Sequence, residues 1–338
     1  MKDAESLVRE LLRPSEALVA DMKKIEGDII LLGVAGKMGP SMARLAREAT
    51  DMAGIKRRII GVSRFSEPET RTALEAEGIE TIAADLLNED DLASLPDVPN
   101  VLYLAGTKFG TTGKEPYTWA MNAYLPGRVA ERYRKSRIVA FSTGNVYPFS
   151  PVEDGGSSED DATGPVGEYG QSCLGRERIF QYFSARNNTP MLIYRLNYAI
   201  DVRYGVLMDI ARSVMEQRPI DLATGFVNVI WQGDANEIAI RSLLHCEVPV
   251  KILNVTGPET ISVKWLAKEF GRKFEKAPVF INEVKPTALL NNASRAHKLF
   301  GYPRVTLQQM IDLTTTWIMQ GGKTLNKPTH FQEREGKF

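Results

Sequence analysis

The sequence predicts an α/β protein: a doubly wound parallel sheet with a smaller lobe interleaved from the C-terminal half. Three observations carry that prediction. Short apolar runs alternate with amphipathic segments from residue 28 to residue 196, the rhythm of parallel strands covered by helices on both faces. The first apolar run ends in a glycine-punctuated turn, Gly33-Val34-Ala35-Gly36-Lys37-Met38-Gly39, that opens a helix. At 338 residues the chain can bury a sizeable core and hold two interleaved units.

The elements follow in order. Residues 1–24 alternate charge with Leu7, Val8, Leu11, Leu12, Leu18 and Val19 around Pro14, which reads as one or two amphipathic helices packed on the body. Residues 29–32 form a buried strand, with a helix opening at Ser41. Strands are predicted over 57–64, 80–85, 100–106, 137–143 and 190–196, and helices over 67–77, 88–95, 116–134 and 168–187. Beyond residue 196 the rhythm loosens into helices at 205–218, 234–245, 262–274, 292–300 and 307–319, with strands at 226–231 and 251–256. The expected organisation is an N-terminal helical extension (1–26) and a first domain (27–196) that 226–257 rejoins. A second lobe comes from 197–225 and 258–323, followed by an extended tail (324–338). The polar run 151–167 is long enough for a lid or a surface excursion.

Composition narrows the function classes. Forty-two basic residues balance forty-two acidic ones, so no global field attracts nucleic acid or membrane, and a small-molecule partner is the default. Two cysteines, Cys173 and Cys246, make no disulfide framework, and three scattered histidines lack metal-ligand spacing, so no metal site is expected. No apolar run reaches transmembrane length, and the N-terminus has no signal-peptide core. A cytoplasmic protein is expected.

The glycine turn carries the first chemistry. Gly33 permits a sharp turn, Gly36 lets the backbone approach a pyrophosphate, and Gly39 lets the helix pack against the strand. The helix N-terminus then offers backbone N–H groups to an anion. A plain glycine-rich turn before a surface helix has the same spacing; the flanking strand and helix favour the dinucleotide. A carboxylate at the end of the second strand would select NAD, but Ser63-Arg64 stands there. Its guanidinium, with Lys37 nearby, suits the extra phosphate of NADP, with NAD possible; two solvated surface cations are the alternative.

The G-x-x-G-x-x-G spacing and the motifs below resemble the extended short-chain dehydrogenase/reductase family of NAD-dependent epimerases and dehydratases, over roughly residues 27 to 320. The resemblance implies a Rossmann-like dinucleotide domain and a substrate lobe. By it, Asp85-Leu86 contacts the adenine, the turn through Met38 and the stretch Leu104-Ala105-Gly106 line the cofactor, and Lys108 matches a phosphate-contacting lysine. Asn122 matches an asparagine that props the catalytic centre, although a plain surface asparagine fits the sequence as well. Phe141 to Tyr147 (FSTGNVY) resembles S-[ST]-x-x-V-Y, which makes Thr143 the hydroxyl that holds the reacting oxygen and places Asn145 beside the substrate. Tyr169 is then the general acid/base of Y-x-x-x-K.

Cys173 stands where that motif has lysine. Three consequences stay open: Arg176 or Lys108 supplies the missing cation, the nicotinamide's own charge suffices, or catalysis is lost and the protein senses its cofactor. A nucleophilic Cys173 is disfavoured, since no histidine is near it in sequence. Asn197, in Arg195-Leu196-Asn197, and Trp231, in the place of an H-V-x-D histidine, resemble substrate positions. Residues 219–228 (PIDLATGFVN) lack the arginine with which nucleotide-sugar members grip a diphosphate. The expected reaction is therefore Tyr-assisted hydride transfer, by an oxidoreductase or epimerase, on a free sugar, sugar acid or lactone. A nucleotide sugar held by Arg203, Arg218 or Arg295 is the alternative. The family analogy also implies a homodimer.

Overall fold

The computed structural model describes residues 4–108, 113–325 and 329–337. Two short helices, α1 (Ala4–Leu11) and α2 (Glu16–Met22), precede the body. Seven strands then form one parallel sheet: β1 (Ile29–Leu32), β2 (Ile59–Ser63), β3 (Glu80–Ala83), β4 (Asn100–Tyr103), β5 (Arg137–Thr143), β6 (Met191–Leu196) and β7 (Lys251–Val255). Their spatial order is β7-β6-β5-β4-β1-β2-β3, every neighbour parallel. The order reverses between β1 and β4, and a crevice opens there beyond the strand ends.

The apolar runs are strands because both faces of the sheet are covered. Ile29, Leu31, Leu102, Val139, Leu192 and Leu253 point into one core, and Ile30, Leu32, Val101, Tyr103, Ile138 and Met191 into the other. Five helices connect the early strands: α3 (Gly39–Met52), α4 (Pro68–Ala76), α5 (Glu89–Ser94) and the pair α6 (Glu115–Trp119) and α7 (Leu125–Arg132). Between α6 and α7 runs one π-turn, Ala120–Tyr124, so the single long helix expected over 116–134 is interrupted at Asn122. The long α8 (Gly167–Asn187) leads into β6.

The second lobe has its own core under α9 (Val206–Met215), α11 (Val263–Phe274) and α13 (Leu307–Met319), where Val214, Phe270, Ile311 and Trp231 are buried. Helix α10 (Gln232–Arg241) packs instead against α3 on the first lobe, through Ala235, Ala239 and Ile240. Helix α12 (Ser294–Phe300) lies beside β7.

One expectation needs correction, and three gain detail. Residues 226–231 do not rejoin the main sheet; they split into two-residue strands pairing Ile261–Ser262 and Ala199–Ile200, and only β7 returns. The two N-terminal helices pack on the body as expected, but on different lobes: Leu18 and Met22 of α2 enter the first-lobe core, while Leu7, Val8 and Leu11 of α1 pack on the second. The polar run 151–167 is no free lid. Buried Glu159 accepts from the Asn254 amide (2.8 Å), and Ser157 pairs with the Leu290–Asn292 backbone. The tail is extended but docked, as shown below. No helix among the described residues is long and apolar enough to cross a membrane.

Candidate active site

The glycine turn is shaped by close approaches. At Gly33, φ is +92° and a Cβ would lie 2.8 Å from the Ala105 amide nitrogen, so this position brings the end of β1 against the loop after β4. Gly39 sits on the Val34 carbonyl with no room for a Cβ, which seats the start of α3 on the turn. Gly36 is uncrowded and exposed, so its backbone is free to meet a ligand. Met38 packs against the core while its carbonyl accepts from Ser41 Oγ (3.0 Å).

Beyond the turn lies a cleft of about 300 Å³ walled by Gly33, Gly36, Ser63, Arg64, Asp85 and Leu86, with Leu104, Ala105 and Gly106 opposite. Asp85 Oδ1 accepts from the Leu87 amide (3.0 Å), which fixes its turn. The cleft fits the adenosine half of a dinucleotide, whose phosphates would meet the N-terminus of α3. Glu67 and Thr70 of the α4 region also line it and were not singled out by sequence, because nothing in the chain order brings them to the strand ends. Lys37 does not stand beside Arg64 as expected. Its Nζ lies 4.9 Å over the Tyr204 ring, on the second-lobe side, where an aromatic face attracts the cation.

Asn122 is fully buried, which removes the surface reading. Its Oδ1 accepts from the Thr107 amide (2.9 Å) and Arg176 Nη2 (2.7 Å), and its Nδ2 donates to the Thr107 carbonyl (2.9 Å) and Ser172 Oγ (3.0 Å). One carboxamide thus ties the loop after β4 to α8, and the π-turn presents it there. Arg176, expected as a spare cation or substrate contact, is held beneath Gly106 and donates to the Phe141 carbonyl (2.7 Å). At 7% exposure it is committed to the protein.

Tyr169, in the first turn of α8, is half-buried and hydrogen-bonded to both Thr143 and Cys173. Thr143 Oγ1 also contacts Asn145 Oδ1 (3.1 Å) and accepts from the Asn145 amide (3.2 Å). Lys108 Nζ lies 5.3 Å over the Tyr169 ring. Next to this pair is a cluster of buried carboxamides. Asn197 Nδ2 donates to Asn228 Oδ1 (2.8 Å), Asn228 Nδ2 donates to the Asn291 carbonyl (2.7 Å), and Asn291 Oδ1 stands 2.5 Å from where a Cβ on Gly144 would be. The Asn291 side chain is buried and has no partner among the described residues. Trp231 belongs elsewhere: it is 1% exposed in the second-lobe core, because the strand that carries it faces inward.

A family model described as the NAD dependent epimerase/dehydratase family matches residues 29–201, about half the chain. The chain belongs to that family. A search of curated proteins finds no match. Solved structures share the fold. UDP-glucuronic acid 4-epimerase from Bacillus cereus, in complex with NAD and a fluorinated UDP-glucuronic acid, aligns at a TM-score of 0.73 and 19% identity, covering 87% of this chain and 99% of its own. MoeE5 in complex with UDP-glucose and NAD gives 0.70 and 18%, with the same coverage. UDP-glucose 4-epimerase from Thermus thermophilus, in complex with NAD, gives 0.69 and 17%, covering 85% and 97%.

In this member of the epimerase/dehydratase family the electrostatics of the site follow from burial. Burial, and then the neighbouring Cys173, push the Tyr169 phenol well above its ordinary value, against Arg176 and the Thr143 hydrogen bond. Burial, and then Lys37, lower the Lys108 ammonium to about 8. Burial raises the Cys173 thiol, which fits a packed thiol rather than a nucleophile.

Below this epimerase/dehydratase site lies a buried ion pair that sequence reasoning did not single out. Arg195 donates to both oxygens of Glu177 (2.9 and 2.6 Å) and to Tyr147 Oη (2.5 Å), Ser142 Oγ donates to Glu177 (2.6 Å), and Tyr147 donates to Asn254 (2.9 Å). Arg195 and Glu177 lie 18 residues apart on different elements, so no local pattern announces them.

Proposed function

We propose that this protein is an NAD(P)-dependent oxidoreductase or epimerase that acts on a small polyhydroxylated substrate, a free sugar, sugar acid or lactone. The observation that carries the reading is the Thr143–Tyr169 pair, hydrogen-bonded to one another at the head of α8 and next to carboxamides that can read hydroxyl groups. When bound, the nicotinamide accepts or returns the hydride. Gly33, Gly36, Asp85 and the Leu104–Gly106 stretch would hold the adenosine half and its phosphates, with Lys37 and Lys108 as cations on the path onward.

Tyr169 works on the proton. High in its range, the phenol is protonated at neutral pH and is set to give that proton to a carbonyl oxygen as hydride reaches the carbon. In the other direction a substrate hydroxyl passes its proton to the tyrosine oxygen as the carbon gives up hydride. Arg176 is then the cation whose charge favours the phenolate, with Lys108 over the ring as a second, in place of the lysine that Cys173 replaces. Ser63 and Arg64 at the cleft wall support NADP, although Glu67 on the same rim would favour NAD.

The structural neighbours' complexes with UDP-sugars favour a second reading, a nucleotide sugar. Against it, the three arginines that the sequence offers to a diphosphate are engaged: Arg203 with Asp201 (2.8 Å), Arg218 with Glu216 (2.7 Å), and Arg295 with Asp160 and with Glu159 (3.5 Å).

The test is absorbance at 340 nm in a single turnover, with concentrated enzyme loaded with NADP or NAD and mixed with sugars, sugar acids, lactones or UDP-sugars. Tyr169→Phe is expected to slow turnover by about a thousandfold while cofactor affinity stays within about twofold. Full activity in that variant would sink the mechanism, and turnover confined to UDP-sugars would install the second reading.

A further inference from the structure

The C-terminal tail returns to the site. Thr329 donates through its amide (2.9 Å) and Oγ1 (2.6 Å) to Asp209 on α9, and Phe331 is buried in the second-lobe core. Gln332 Nε2 donates to the Asp221 carbonyl (3.2 Å) and its own carbonyl meets Thr224 Oγ1 (3.5 Å). Gly336 then lies directly on the Gly167 backbone, two residues before Tyr169. The segment thus crosses from the second lobe to the head of the helix that carries the proposed acid/base.

Between these anchors stands Arg334. Its Nη1 donates to the carbonyls of Thr287 (2.9 Å) and Ala223 (3.2 Å), its Nη2 donates to Thr287 Oγ1 (2.7 Å), and its guanidinium lies 4.1 Å over the Phe149 ring. Every one of these partners is neutral, and among the described residues no carboxylate pairs with this half-buried charge. Ala223 lies in the 219–228 stretch that has no arginine of its own, and Thr287 begins the segment that leads to the unpartnered Asn291. Burial lowers the Arg334 pKa and only Tyr198 opposes this, as for a cation lacking its counter-charge.

We infer that Arg334 is a specificity-determining residue that binds the carboxylate of a small sugar acid, in a substrate site that the C-terminal tail completes. The inference rests on the small-substrate reading above and narrows it to an anionic substrate. A guanidinium presents paired donors to a carboxylate, and a half-buried one with only neutral partners selects an anion strongly over an isosteric neutral group. Polyhydroxyl recognition by Asn197 and Asn291 would hold the rest of the molecule.

The test is calorimetric titration of the full chain loaded with NADP, using D-gluconate, D-glucuronate, D-glucose, glucose 6-phosphate and UDP-glucose as probes. Binding is read without turnover, so failure of the Tyr169 chemistry leaves this result separate. The sugar acids are expected to bind at least tenfold tighter than glucose. Arg334→Gln, which keeps a donor for Thr287 but removes the charge, is expected to bring that ratio near one. Arg334→Lys is expected to recover part of it, and NADP affinity in both variants reports an intact fold. The inference is overturned if the acids do not bind at millimolar concentration, if glucose 6-phosphate or UDP-glucose is preferred, or if Arg334→Gln keeps the preference.

Discussion

Glu177 and Arg195 meet under the C-terminal edge of the sheet with all their recorded contacts inside the protein, whereas Lys37 and Lys108, beyond the same edge, rest over tyrosine rings beside the cleft. Both sets are drawn out of water. The first is matched donor to acceptor, so its charges stabilise one another and hold β5, β6 and α8 in register at the point where Thr143 and Tyr169 must meet. The second is a pair of like charges close enough that Lys37 helps lower Lys108. An anion arriving between them would interact favourably with both. The difference separates scaffold from site: a buried pair of opposite charges holds the scaffold, and like charges gathered at a cleft with a depressed lysine mark where an anionic ligand would be favoured.

The comparison breaks most sharply at Glu177. Glu177→Gln leaves Arg195 buried without its anion and is expected to cost about 3–5 kcal/mol of stability in denaturant unfolding. A loss under about 1 kcal/mol would mean the pair is not the closed unit described. Lys108→Met is expected to do the reverse: stability is kept or improved, while NADP affinity falls about ten- to a hundredfold, the scale of a charge-assisted hydrogen bond of about 1.5–3 kcal/mol. Equal affinity in the variant would remove Lys108 from the cofactor site.

The smallest effect is on pH. Lys108 without ligand titrates near 8, so its charge is largely present at pH 7 and lost as pH rises through that value. A bound phosphate favours the charged form, so NADP affinity is expected to weaken by less than about tenfold between pH 7 and pH 9, with proton uptake on binding. That dependence should vanish in Lys108→Met.

Much of this was legible in the chain. The strands were, because burial on both faces leaves continuous apolar runs, and so was the glycine turn, because Gly39 answers the Val34 carbonyl close by in the chain, although what crowds Gly33 is the distant Ala105. Tyr169 and Thr143 could be named from their resemblance to the family's motifs. Lys37 was misplaced, and Arg176 keeps its charge near Tyr169 while its hydrogen bonds go to Asn122 and Phe141, for a common reason: a cation's sequence neighbours do not say which ring or carbonyl it will meet. Trp231 was misread because motif position says nothing about which way a two-residue strand faces. Asn122 was left open between brace and surface, and only the π-turn that turns it inward decided it.

The sequence by itself determined the parallel sheet and the glycine turn, because each depends on contacts between residues close along the chain or on a periodic pattern within one element, and its resemblance to the family named Thr143 and Tyr169. Only the tertiary structure decided that Glu177 would neutralise Arg195, that Lys108 would come to lie over Tyr169, and that Arg334 would return from the tail to a stretch more than a hundred residues earlier. Those pairings depend on packing between distant elements, where burial makes a charge consequential and no local pattern records its partner.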